Sequence, residues 1–535
     1  MRRRAFLGAG LTVSAASVVG CGTRDRGAGY QSDYVGEHAD NVVHILPTAS
    51  HDRILVKVSL RDVPGRAPTL LVDGVAADAT QTDAGGKFYA FDAAGLGPDR
   101  AYQLELEADG EHQTEPWALR TLPAPDAEPR SVRILVYTCA GGHDLFVGTQ
   151  LPTAVRRRLL TRAASFEPDV VIANGDHVYW DLTLGASAAF LGNSPAAIAF
   201  AGRFDRSMPV LGTDNEAVLL AAVDNQVAEL YGTLFRGTPV FFVRDDHDYF
   251  DNDVYEPGAG GEPRMTFPPD DFARQLARAT QWLYYPEFLP DPGRPLQLPG
   301  AGAGDRPPGI NESFGTLRYG RLLESLLYDC KGFMTLDGDD ARAVPAIVEQ
   351  WLLARMAAPE VRHVVNVPST PPGYTAGKFA EWYPDVLADD QLVVDQNKPG
   401  WRPGWLAQHD RLLAAASAMP RVPLFLAGDI HSHAELSILR SGATDLSSNP
   451  VQVVVAGTPG ATQLSWPSLV RGVRAQAPLG LTVQEGLAPL EENGFNLVDV
   501  ETDRITIRSF RYDGESEDPA VIDDLEPFRE TVLRR

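Results

Sequence analysis

Cysteine is scarce in this chain: Cys21, Cys139 and Cys330 are the three in 535 residues. Two thiols beyond the N-terminal region could form one disulfide, but they do not make a disulfide scaffold. Basic residues are also few, 47 Lys and Arg against 71 Asp and Glu, for a formal net charge of −24. Losing Arg2, Arg3 and Arg4 with the first twenty residues would take −24 to −27. So acidic a surface repels polyphosphate backbones and argues against nucleic acid as a main partner. No long apolar run is unbroken either. Asn193-Ser194-Pro195 interrupts residues 182–202 and Gly457-Thr458-Pro459-Gly460 interrupts residues 451–470, which excludes both as membrane-spanning helices. A repeat at solenoid spacing is absent as well.

What is present begins with MRRRAFLGAGLTVSAASVVGC. A basic start, an uncharged stretch and small residues before a cysteine read as an export signal over 1–20. RRRAFL looks like a twin-arginine signal and VVGC like a lipoprotein box, so lipidation of Cys21 is expected, with a plain secretory signal or cleavage without lipid as the alternatives. Residues 21–40 read as a tether. From 41 to 122, short alternating segments (RILVKVSL, TLLVDG, KFYAF, YQLELEADG) predict a small β-sandwich. TLPAPDAEPR is a proline-rich linker. From 131 to 515, with an extension to 535, apolar strands alternate with amphipathic helical stretches, which predicts a layered α/β domain. Residues 255–268 and 286–311 read as long loops over one face.

The apolar runs end in residues that bind metals. Cys139 follows VRILVYT, Asp176 and Tyr179 follow VVIANG, Asp245, Asp246 and His247 follow VFFVR, and Asp429 and His431 follow LFLAG. Taken singly these are caps, turn residues or packing groups. Gathered at the carboxyl edge of one sheet they form a site. Cys139, Tyr179 and His431 offer thiolate, phenolate and imidazole, a set suited to Fe(III). Asp246, Asp429 and a shared Asp176 offer only oxygen, which suits Ca²⁺. Asp248, Asp251 and Asp253 could hold further calcium or form a solvated acidic turn. His177 and His433 are expected to orient ligands, and His143, after a glycine pair, is a candidate on the substrate side.

The block order YTC, GDHVYWD, RDDHDYFDND, YDCKGF and GDIHSH resembles the PhoD-type alkaline phosphatases, a branch of the calcineurin-like metallophosphoesterases, over residues 40–515. The resemblance implies a two-sheet metallophosphoesterase sandwich flanked by helices, preceded by an Fn3-like all-β domain. It places Asp176 as the bridging carboxylate, Tyr179 and Cys139 as iron ligands, and His431 as the last imidazole. Asp246 stands where many relatives have asparagine, and Asp429 where the wider superfamily has histidine. A middle histidine ligand is not evident. His363 opens its strand, while Asn366 and Ser369 lie nearer the end where a ligand is needed.

The implied activity is hydrolysis of phosphate mono- or diesters by a metal-bound hydroxide. His247 would hold the phosphoryl group or protonate the leaving oxygen, with Asp176 supporting and Lys331 of YDCKGF meeting a phosphate oxygen as a point charge. Two alternatives stay open. One is a phospholipase-like or cell-wall-polymer esterase on the same site, with residues 182–202 as a lipid-facing lid. The other is a non-catalytic calcium-binding surface lipoprotein. The expected protein is an exported monomer that touches a membrane only through Cys21, and its partner is the phosphoester.

Overall fold

A run such as Ile134-Leu135-Val136-Tyr137 has no polar face, and such a strand is stable only with both faces covered. The computed structural model describes residues 41–144, 150–180, 200–249, 255–257, 263–265, 267–291, 294, 298, 310–378 and 380–534. In it, two sheets cover one another. The first runs in the order Val240–Val243, Val170–Asn174, Ser131–Tyr137, Asn493–Glu501, Arg504–Tyr512, Arg529–Arg534. Its first three strands are parallel and the rest antiparallel. The second sheet places Phe314–Tyr319, Leu323–Tyr328, His363–Pro368, Leu424–Ala427, Val451–Val455 and His433–Ser441 side by side, the four from Leu323–Tyr328 to Val451–Val455 being parallel.

Alternation along each strand sorts the side chains between layers. Ile134, Val136, Ile172 and Val243 meet Leu327, Val365, Leu426 and Val454 between the sheets. Their neighbours Leu135, Tyr137, Val171 and Phe242 face outward, onto Leu160, Leu219 and Leu276 of helices Thr153–Ala164, Asp214–Val223 and Asp271–Tyr284. On the far side Leu326, Val364, Phe425 and Val453 pack on Leu352 and Leu412 of helices Ala346–Ala357 and Pro403–Ser417. Each such side chain contributes roughly 1.5–3 kcal/mol of burial. The result is an α/β sandwich in four layers, helix, sheet, sheet, helix. Thr213 and Asp270 cap two of these helices by accepting the backbone N–H groups of Asn215 and Ala273.

Residues 42–120 form two smaller sheets around Ile54, Val56, Phe91, Leu104 and Trp117. This sandwich packs tightly against the rest. Leu46 and Phe88 join the core beneath helix Asp271–Tyr284, and the buried Lys57 ammonium donates to Trp282 O at 2.9 Å and pairs with Glu287 at 3.1 Å. The described residues hold together as one compact unit. Two details differ from the sequence reading. Arg529–Arg534, read as an extension, is the edge strand of the first sheet, and the loop expected over 255–268 contains an antiparallel pair, Tyr255–Pro257 with Pro263–Met265. Cys21, the export segment, residues 182–199 and much of 286–311 lie outside the described residues. Among the described residues, no helix is long and apolar enough to cross a membrane.

Lys57→Ala leaves Glu287 buried without its cation and is expected to cost about 3–5 kcal/mol in chemical denaturation, while the double variant Lys57→Met with Glu287→Leu should recover most of that loss.

Candidate metal centre

The parallel strands of both sheets point their carboxyl ends to one edge, and the next residues turn sharply. Cys139, Asp176, Asp429 and His431 all have positive φ, from 44° to 74°. Such values cost non-glycine residues free energy and cluster at functional sites. The two sheets touch here. A Cβ on Gly428 would lie 2.2 Å from Thr138 Oγ1 and 2.7 Å from Asn174 O, so only glycine fits. Thr138 Oγ1 donates to Asn174 O at 2.6 Å and accepts the Asp429 N–H at 3.2 Å, joining three strand ends across the two sheets.

Four donors converge where the sheets meet. Asp176 Oδ2 lies 3.2 Å from Cys139 Sγ and 3.1 Å from Tyr179 Oη, which is itself 3.0 Å from His431 Nε2. His431 Nδ1 faces Ser465 O at 3.0 Å, so its N–H points there and Nε2 presents a lone pair to the group. Burial pushes the His431 pKa down to about 4, which keeps the ring neutral as a ligand must be. Burial, and then the Asp176 charge, push the Cys139 thiol well above its ordinary range, so a thiolate there needs a cation beside it.

A second group adjoins the first. Donor atoms of Asp176, Asp246 and His247 lie within 4.8 Å of one another, as do those of Asp245, Asp246 and Asp429. The His247 ring stands 4.2 Å from the Tyr179 ring. Among the described residues, both carboxylate oxygens of Asp245, and Asp176 Oδ1, are buried without a hydrogen bond. Burial, followed by the Asp429 and Asp246 charges, holds the Asp245 carboxyl well above the usual range, and burial with Asp246 does the same to Asp176. Buried carboxylates in this state fit a bound cation. One cation is already there: Lys378 Nζ lies 2.5 Å from Asp429 Oδ1 and 3.3 Å from Asp246 Oδ2.

Other candidates stand elsewhere. Asp248 is a clamp, its carboxylate accepting the backbone N–H groups of Asp176, His177, Val178 and Asp245 at 2.8–3.1 Å, which leaves it no role as a calcium ligand. Lys331 does not face open space for a phosphate; it is fully buried and donates to Ala380 O at 2.7 Å. Asn366 sits mid-strand, 3.5 Å from Met356 in the outer helical layer, because its position in His363–Pro368 turns it away from the sheet edge. His363 bonds Glu501 O at 2.8 Å, and Ser369 Oγ accepts the Cys330 N–H at 3.0 Å. His177 bonds Val243 O at 2.9 Å and so ties two strands of the first sheet. His433 lies against Phe528 and near Asn493 O. His143 meets the Phe200 ring edge-on at 4.6 Å and stands outside the donor groups found among the described residues. Cys139 and Cys330 are both free thiols. Asp251 and Asp253 lie outside the described residues. Sequence reasoning missed Lys378, because Thr375-Ala376-Gly377-Lys378 carries no pattern that marks it, and Thr138, whose place beside Cys139 was the one available hint.

No family model matches the chain, and no curated protein matches it. Among solved structures, the "Structure of PhoD" matches with a TM-score of 0.58 at 12% identity, covering 93% of this chain and 91% of that one. The chain therefore has a PhoD-like fold. A structure described as "GAP50 the anchor in the inner membrane complex of Plasmodium" overlaps at a TM-score of 0.33 and 10% identity, over 76% of this chain and 89% of that one, too low to carry an argument.

Asp248→Asn replaces acceptor oxygen by an amide that faces backbone donors. It should cost about 3–5 kcal/mol in denaturation and lower bound metal per chain, the hydrogen bonds to a charged group being worth ~1.5–3 kcal/mol each. A pH effect follows from the raised carboxyls. Asp176 and Asp245 bind protons more readily folded than unfolded, so their contribution is full below the unfolded range near ~3.9 and is lost as pH rises through their raised values. Metal-free protein should melt at a lower temperature at about pH 8 than at about pH 5, and added metal should raise the melting temperature most at the higher pH.

Proposed function

We propose that the chain is a metal-dependent phosphoesterase. The observation that carries this is the convergence of Cys139 Sγ, Tyr179 Oη and His431 Nε2 around Asp176, with unpaired Asp245 oxygens beside it. Thiolate, phenolate and imidazole in one group suit a transition metal, for which Fe(III) is the proposed occupant. Asp245, Asp246 and Asp429, sharing Asp176, have the oxygen-only chemistry of a calcium position. The PhoD-like fold supports the reaction class, and the N-terminal sequence supports export with Cys21 as the lipid anchor.

Bound there, the cations would supply Lewis acidity, neutralising a phosphate ester and activating water as the nucleophile. The remaining work falls to the chain. Ser465 O fixes the His431 tautomer. Asp248 holds the Asp176 and Asp245 backbones at a set separation, which fixes the distance between the two donor groups. His247, against the Tyr179 ring and beside Asp176 and Asp246, can hold a proton for the leaving alkoxide.

The test is metal analysis of purified protein together with phosphate release from aryl and alkyl esters. Cys139→Ser should lose the transition metal and most turnover, whereas Cys330→Ser should lose neither. His247→Asn should keep its metals and lose ~10²–10⁴-fold in turnover, with the smaller loss for aryl esters, whose leaving groups need little protonation. Equal losses on both ester types would remove His247 as the leaving-group acid.

A further inference from the structure

The turn that carries Lys378 is fastened with buried charge. Glu381 accepts the Thr375 hydroxyl and, at 2.8 Å, the Ala376 N–H, and it pairs with Lys398 at 3.0 Å. Lys398 also donates to Tyr383 O at 2.9 Å, and Lys331 holds Ala380 O from the other side. Gly377 has φ +72°, and a Cβ there would lie 3.2 Å from Leu387 N, so the turn takes its shape from glycine. An exposed, wandering lysine needs no such framework. This one is 6% exposed, with its ammonium between Asp429 Oδ1 and Asp246 Oδ2. A calcium ion bridging those carboxylates would sit ~2.3–2.6 Å from each oxygen, in the space the ammonium fills.

We infer that Lys378 is a built-in competitor for the cation of the three-aspartate position: its ammonium occupies that position in the resting chain, and a hard divalent cation enters only by displacing it. The inference rests on the metal-dependent reading above. Three buried carboxylates without a counter-charge are costly, and Lys378 neutralises one of them. Among the described residues, Asp245 is left with both oxygens unbonded, so the ammonium only half-satisfies the group. A divalent ion can reach Asp245 as well, and this gives it the means to compete.

The test uses the full-length protein, stripped of calcium with a mild chelator and titrated with CaCl₂ in a calorimeter. Lys378→Met should bind one Ca²⁺ roughly tenfold or more tightly than wild type, since a competing unit charge at this range has been removed. Lys378→Arg should be no tighter than wild type. Equal affinities for wild type and Lys378→Met, or no calcium binding by either, overturn the inference. A second measurement needs no variant: acylation of lysine amines, read by mass spectrometry, should rise at Lys378 as calcium is added and stay constant at Lys398. Constant labelling of Lys378 with calcium bound overturns it too. Neither readout involves ester turnover or iron. A chain that hydrolyses no phosphoester would sink the functional proposal while leaving these results to decide the competition, and a failed competition would leave turnover and iron content as they stand.

Discussion

The centre depends on one carboxylate whose oxygens are taken up by backbone N–H groups. Asp248 accepts four backbone N–H groups, three from the turn after Val170–Asn174 and one from the turn after Val240–Val243. A buried anion with this many charge-assisted hydrogen bonds fixes the two turns relative to each other. Those turns carry Asp176, Tyr179, Asp245, Asp246 and His247, one from the soft donor group, one shared, and the rest from the hard group and the acid–base position. Without the clamp each turn would relax separately, and a misplacement of the order of ~1 Å is enough to spoil a metal or catalytic geometry.

Strain at the strand ends follows from the same need. A side chain at the end of a sandwich strand ordinarily points into the core or the outer layer. For Cys139, Asp176, Asp429 and His431 to face the space between the sheets, the chain must reverse within a residue or two, and left-handed backbone at non-glycine positions is the result. The surrounding packing holds them there. Thr138 links three strand ends, and Gly428 lets the sheets approach to the distance at which donors from both can share one ion. Bound cations would add to this, since positive charge offsets the burial that raises the Cys139, Asp176 and Asp245 pKa values.

Much of this was open to reading in the chain itself. Apolar runs such as Val170-Val171-Ile172, continuous and β-branched, and Val451–Val455, interrupted only by Gln452, implied buried strands, and these form where expected. Residues directly after such strands gather at carboxyl edges, but the single sheet expected from the sequence is two: Cys139, Asp176, Tyr179, Asp246 and His247 follow strands of the first sheet, Asp429 and His431 follow a strand of the second, and the two edges bring them together. The errors share a cause. Asp248, expected as a further calcium ligand or part of a solvated acidic turn, is a buried clamp, and Lys331, expected on a phosphate oxygen, holds a backbone carbonyl, because composition reveals which groups can bind an ion or an anion and says nothing of which atoms the backbone will claim first. Asn366 lies two residues before the end of its strand, roughly 7 Å short of the edge by strand rise, and on the side that meets Met356 of the helical layer.

The sequence by itself determined the layered α/β architecture and the chemical types at the sheet edge, because both depend on local periodicity and on short-range order along the chain. The tertiary structure alone decided which of those groups share an ion-sized space, which carboxylate becomes a backbone clamp, and that Lys378, remote in sequence from both, stands between Asp246 and Asp429. These are contacts between segments some 50 to 130 residues apart. They are set by how two sheets and their loops pack, and no local pattern encodes that packing.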